Sequence, residues 1–112
     1  IAGVYANRLK MGMMLQADPT VQYAKGYDDQ AKQWWSKLTL RDLETTVSPY
    51  NTYQNVGLTP GPICNPGLDS ILAAARPAST EYVYFVSKGD GSHAFAVTFD
   101  EHLQNQQRYS KP

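Results

Sequence analysis

The side chains able to do chemistry in this chain are few and scattered. Cleaving a glycosidic bond would need a carboxyl group that stays protonated near neutral pH, commonly through burial in an apolar cleft. Each acidic residue with a recognisable setting instead has a local structural explanation. Asp18 and Asp100 stand where helices begin, Asp28 and Asp29 lie in a polar loop, Asp42 and Glu44 share a short helix, and Asp90 is in a turn. No two carboxylates stand out as acid plus nucleophile. Cys64 is the only cysteine and lies in a Pro-rich loop far in sequence from His93 and His102, so nothing marks a Cys–His dyad or a metal-ligand spacing. The glycines of Lys88-Gly89-Asp90-Gly91-Ser92-His93 join two strands and do not open a helix, which excludes a phosphate cradle. What remains is polar and aromatic density in ordered loops: Gln16-Ala17-Asp18-Pro19 and Ser48-Pro49-Tyr50-Asn51-Thr52-Tyr53. Amides and hydroxyls beside stackable rings suit an oligosaccharide groove. Asn51 fits equally well as a turn residue bonding its own backbone.

The elements that would position these loops read as α+β: several short helices and one β-hairpin near residues 82–99. The opening segment carries Ile1, Val4, Tyr5 and Leu9 on one helical face, and Gly12 is a good C-terminal stop. No capping residue precedes that face, which predicts a helix cut from something longer and an apolar surface open to self-association. Asp18-Pro19 predicts a cap plus first-turn proline for a helix that Gly26 ends. Tyr27 to Lys37, with Trp34 and Trp35 embedded, reads as a loop or lid. Thr39 and Asp42 have the spacing of a capping box. Ser48 to Gly67 is an ordered loop, and Asn65-Pro66 predicts the start of a helix ending before Pro77. Tyr82 to Ser87 and Ala94 to Phe99 flank a Gly-Asp-Gly turn as a hairpin. Asp100 then predicts the cap of a helix over 101–109 that frays into Ser110-Lys111-Pro112.

Composition bounds the class. The 112 residues suffice for one domain spanning 1–112. Ten basic residues balance ten acidic ones, so there is neither a nucleic-acid footprint nor a polybasic membrane patch. No apolar run approaches the roughly 18 residues of a membrane span, and no signal peptide is visible. Eight tyrosines supply flat faces with polar tips.

Taken in order, NRL, LQADPTVQYA, LTLRDLETTVSPYNTY, GLTPGPICNPG and AARPASTEYVYFVSKGDGSHAF resemble the MltG/YceG-like endolytic murein transglycosylases, from about Val4 to His102. The resemblance implies a lysozyme-like catalytic domain, represented here by its C-terminal part. It implies cleavage of the MurNAc–GlcNAc bond of peptidoglycan without water. One glutamic acid protonates the glycosidic oxygen, then as carboxylate takes the proton of the muramic acid C6 hydroxyl while a 1,6-anhydro ring closes. The family's glutamate lies on a helix shortly before NRL, so the expectation is that the catalytic residue precedes Ile1 and that this chain alone is inactive. By similarity to goose-lysozyme-like transglycosylases, Gln16 and Asn51 line the glycan groove and Tyr50 orients the glutamate. Asp18, Tyr53 and His93, the last in a G-x-H-x-F match, complete the implied substrate-binding set. The Trp34-Trp35 stretch departs from the shorter, Gly-rich segment expected there.

The resemblance further implies no cofactor and no metal, peptidoglycan glycan strands and cell-wall synthases as partners, and a site of action outside the cytoplasmic membrane, with anchoring through a segment before Ile1. The competing reading is a non-catalytic peptidoglycan-binding or scaffold module, which would keep the aromatic loops and need no acid. A third, aminodeoxychorismate lyase, is an older label for such sequences. It would need a pyridoxal phosphate lysine in a larger fold, and neither a phosphate cup nor an apolar lysine setting is visible.

Overall fold

A computed structural model describes residues 1–109 and divides them into two compact units, one formed by Ile1–Lys10 with the chain from Gly67 onward, the other by Met11–Pro66. Among the described residues there are five α-helices and one two-stranded antiparallel sheet, so the expected α+β class is found.

The first unit is organised by its hairpin. Strands β1 (Tyr84–Ser87) and β2 (His93–Ala96) pair with Tyr84 opposite Ala96, Phe85 opposite Phe95, and Ser87 opposite His93. The turn works because Gly89 and Gly91 take φ of 87° and 92°, which side-chain-bearing residues avoid. Alternation sends Tyr84 towards helix α5 (Phe99–Tyr109), where it stacks on His102 at 5.0 Å, and sends Phe85 to Tyr5 of helix α1 (Ala2–Met11), edge to face at 5.8 Å. Helix α1 docks on the strand leading into the hairpin through hydrogen bonds as well as apolar contact. Asn7 Nδ2 donates to the carbonyls of Thr80 and Tyr82, both at 2.8 Å, and Arg8 Nε donates to that of Val83 at 2.7 Å. Val4, Val83 and Ala96 form the small apolar core beside a buried Arg8.

The structure corrects several local expectations here. Ile1 and Leu9 are exposed, and the buried face of α1 is Gly3, Val4 and Arg8, because the incoming strand presents carbonyls that need donors. The helix expected from Asn65-Pro66 is α4 (Leu68–Ala75), with extended Gly67 at its N-cap and no side-chain cap. Helix α5 begins two residues after β2 ends, so Val97 to Phe99 are not strand. Its cap is Thr98, whose hydroxyl accepts from Glu101 N–H at 3.2 Å; Asp100 sits inside the first turn. The expected fraying of Ser110-Lys111-Pro112 falls outside the described residues.

The second unit has two short helices, α2 (Asp18–Lys25) and α3 (Leu40–Thr45), and long ordered loops. Gly12 and Gly26 end α1 and α2 at φ of 72° and 75°, as expected. The capping box of α3 forms with both halves present: Thr39 Oγ1 accepts from Asp42 N–H, and the Asp42 carboxylate accepts from Thr39 N–H at 2.8 Å. Asp18 is not a cap. Ala17 holds that position without a side-chain bond, and the Asp18 carboxylate is engaged elsewhere.

Candidate functional site

The two polar segments singled out in the sequence meet in the second unit. Gln16 takes φ of 50°, a left-handed turn that non-glycine residues seldom adopt, and its N–H donates to the Thr52 carbonyl at 3.2 Å. Ala17 N–H donates to Thr52 Oγ1 at 2.9 Å, and Thr52 Oγ1 shares a hydrogen bond of 2.8 Å with Thr20 Oγ1. At the surface the Tyr53 hydroxyl donates to Asp18 Oδ1 at 2.6 Å. Segments some thirty-five residues apart are thus stitched side by side, with buried threonines below and Gln16, Asp18 and Tyr53 above.

Asn51 has a different place from the one expected of a groove-lining residue. It is 0% exposed. Its Nδ2 donates to the carbonyls of Leu43 at 3.0 Å and Thr46 at 2.8 Å, and its Oδ1 accepts from Tyr53 N–H at 2.8 Å. The side chain closes the end of α3 and fixes the turn that carries Tyr53, leaving no surface with which to touch a ligand. Of the two sequence readings of Asn51, the turn residue describes this geometry. Tyr50 is half-buried; its ring lies 5.1 Å from that of Tyr23, and its hydroxyl would stand 3.1 Å from a Cβ on Gly61. Tyr53 borders an open groove of about 450 Å³ with Leu40, Leu43, Glu44 and Gln54.

His93 belongs to the other unit. It opens β2 half-buried between Phe85 and Phe95, with ring centroids at 5.6 and 6.5 Å. Gln16, Asp18, Tyr50, Asn51 and Tyr53 are therefore brought together within the second unit, and His93 is placed in the first. Sequence reasoning missed Thr20 and Thr52, the buried pair beneath the site. A threonine in the first turn of a helix or in a polar loop carries no signal that its hydroxyl will be enclosed.

Three carboxyl groups are held below their ordinary range by hydrogen bonds that favour the charged form: Asp28 chiefly by Ala31 N–H, Asp42 chiefly by Thr39 N–H, and Asp90 chiefly by the Ser92 hydroxyl. None of these suits a general acid, which must be protonated when the substrate arrives. Among the described residues no group of three or more His, Cys, Asp or Glu is placed to hold a metal ion, Cys64 is exposed, and no helix is long and apolar enough to cross a membrane.

Comparison with known proteins follows the same segments. The model of the YceG-like family matches residues 1–108. The endolytic murein transglycosylase of Bacillus subtilis is 47% identical over 109 residues, covering 97% of this chain and 28% of that protein. The endolytic murein transglycosylase of Streptococcus pneumoniae is 36% identical over 110 residues, covering 94% of this chain and 19% of that protein. A crystal structure of a yceG-like protein from Listeria monocytogenes superposes with a TM-score of 0.78 at 46% identity, over 92% of this chain and 31% of that one. The chain thus spans less than a third of the length of each of these relatives.

Proposed function

We propose, from the premise that this chain belongs to the YceG-like family, that it forms the glycan-holding part of a peptidoglycan lytic transglycosylase. The observation that carries the proposal is the seam between residues 16–20 and 51–53, which presents Gln16, Asp18 and Tyr53 as one polar, aromatic surface on a buried threonine base. Such a surface offers a sugar ring amide, carboxylate and hydroxyl partners beside an aromatic face. The Asp18–Tyr53 bond fixes both side chains before substrate arrives, which lowers the entropy lost on binding.

The reaction needs one carboxyl group acting first as acid, then as base, since the muramic acid C6 hydroxyl is the nucleophile. In this proposal the carboxyl is a glutamate contributed by a segment preceding α1. The ionised state favoured for Asp28, Asp42 and Asp90 supports looking elsewhere for it. The substrate lies outside the cytoplasmic membrane, so the site works there, on a protein held to the membrane by a segment beyond these helices and working beside cell-wall synthases.

The test is product analysis. The protein in its native length, incubated with purified sacculi, releases 1,6-anhydro-muropeptides detected by mass spectrometry. Tyr53→Phe removes only the hydroxyl that bonds Asp18 and lowers turnover about tenfold, the worth of one charge-assisted hydrogen bond. Sacculi left intact, or reducing ends without anhydro products, would overturn the proposal.

A further inference from the structure

Trp35 and Tyr23 are large flat rings held at the surface, where 46% and 43% of their area stays open to solvent. Exposed apolar area of this kind marks an interaction site when the backbone beneath it is fixed. Here it is fixed at several points. Asp28 and Gln33 exchange backbone hydrogen bonds at 2.9 and 3.2 Å, and Asp28 Oδ1 accepts from the N–H groups of Gln30 and Ala31. Lys25 Nζ reaches the Asp28 carboxylate at 3.3 Å. Gln22 Nε2, from α2, donates to the carbonyls of Trp35 and Ser36 at 3.2 and 3.0 Å. Trp35 itself is held at φ of 55°, an unfavourable conformation for a bulky residue that persists because these bonds outweigh it.

The platform continues into the candidate site. Trp35 lies 6.2 Å from Tyr23, tilted by 45°, and Tyr23 lies 5.1 Å from Tyr50. Tyr50 directly precedes the Asn51–Tyr53 turn that builds the glycan surface. A run of rings from Trp35 through Tyr23 therefore reaches Tyr50, at the start of the segment that carries Tyr53. Polar groups lie nearby in the chain, with Lys25 Nζ placed between the Asp28 and Asp42 carboxylates at 3.3 and 3.5 Å. A pyranose ring has this character: an apolar face of axial C–H bonds and a rim of hydroxyl and acetamido groups.

Resting on the function proposed above, we propose that Trp35 and Tyr23 form an additional sugar subsite, on which an N-acetylated hexosamine further along the same glycan strand stacks. Trp35 is its main ring and Tyr23 links it to the surface at Tyr53. The subsite acts on binding and leaves the bond-breaking chemistry unchanged, so it governs how long a strand must be to bind well.

The test measures binding of the native-length protein to peptide-free glycan strands, prepared by amidase treatment of sacculi. Trp35→Ala and Trp35→Leu weaken binding about tenfold, near the upper worth of one aromatic stacking contact, whereas Trp35→Phe stays within about twofold. The leucine variant separates flat-face stacking from apolar bulk. Weakening by alanine and leucine, with rescue by phenylalanine, supports the subsite. Unchanged binding in properly folded alanine and leucine variants overturns it while sparing the proposed function, and assigns this face to a protein partner. If the unsubstituted protein binds no glycan, both readings fall. Should either variant lose its unfolding midpoint, tryptophan emission of the unsubstituted protein decides: a change on glycan addition that Trp35→Phe abolishes supports the subsite, and no change overturns it.

Discussion

Replacing Asn51 by alanine separates a residue that builds the site from one that touches substrate. The amide makes three hydrogen bonds with no exposure to water: two donated to the carbonyls of Leu43 and Thr46, and one accepted from Tyr53 N–H. At about 1 kcal/mol net for each such bond, Asn51→Ala destabilises the protein by about 3 kcal/mol. For a chain of this size that lowers the melting temperature by about 13 °C. Asn51→Asp is worse than alanine, since it keeps the acceptor for Tyr53 N–H but turns a carboxylate oxygen towards two carbonyl oxygens in a dry setting. Urea unfolding followed by circular dichroism, with the slope unchanged, measures the loss. Release of anhydro-muropeptides by the native-length protein, the activity proposed above, measures turnover at a temperature where the variant is folded. A loss of stability below about 1 kcal/mol, together with collapse of turnover, would refute the clamp and make Asn51 a substrate contact.

Gly3→Ala gains about 1 kcal/mol of helix propensity, but its Cβ would stand 2.8 Å from the Ala78 carbonyl oxygen, and such overpacking costs about 1–3 kcal/mol. Net destabilisation of about 1 kcal/mol is expected by urea unfolding; a gain in stability would show that the segment around Ala78 yields freely. His102 is held below its ordinary pKa of 6.5, first by burial against Tyr84 and Phe99 and secondly by the positive charge of Arg8. Its folded-state pKa is depressed, so the unfolded chain binds the proton more readily. The stabilisation from neutral His102 is complete above pH 6.5, declines as the pH falls from there towards the folded pKa, and changes no further below it. Proton NMR titration should place His102 below 6.5, and His102→Gln should flatten the stability profile in that window; a titration at or above 6.5 refutes this.

Signals confined to a few consecutive residues were legible in the sequence. The Gly89-Asp90-Gly91 turn, the Thr39–Asp42 capping box and the helix ends at Gly12 and Gly26 each depend on local backbone geometry, and each formed. Two of the misreadings share a cause. Asp18 has the composition of a cap, yet its carboxylate bonds Tyr53, a partner 35 residues away. Leu9 has the spacing of a core residue, yet α1 docks with Arg8 buried beside Val4 and with Asn7 donating alongside, because the segment ending at Val83 offers carbonyls there. Periodicity registers apolar burial only, so a helix docked by side-chain donors onto a strand's carbonyls is invisible to it. The candidate residues were chosen by type and neighbourhood, whereas the distinction between Tyr53 at the surface and Asn51 beneath it required the fold.

That distinction bears on how the site keeps its shape. The buried residues of the second unit are Leu15 and Val21 with Thr20, Ser36, Asn51 and Thr52, so polar groups outnumber apolar ones under the loops. An apolar core tolerates repacking at similar volume, but a satisfied hydrogen-bond network accepts few alternative geometries and loses several bonds at once when one member moves. Thr20, Thr52 and Ala17 form one such network, and Asn51 with α3 and Tyr53 forms another; the peptide bond between Asn51 and Thr52 joins them. A loop displaced at Tyr53 would therefore disturb the bonds at Thr52 and Gln16 on the neighbouring segment. Such coupling fixes the backbone at Gln16 and holds the Asp18 carboxylate and the Tyr53 phenol in register, the preorganisation that the glycan contact proposed above requires.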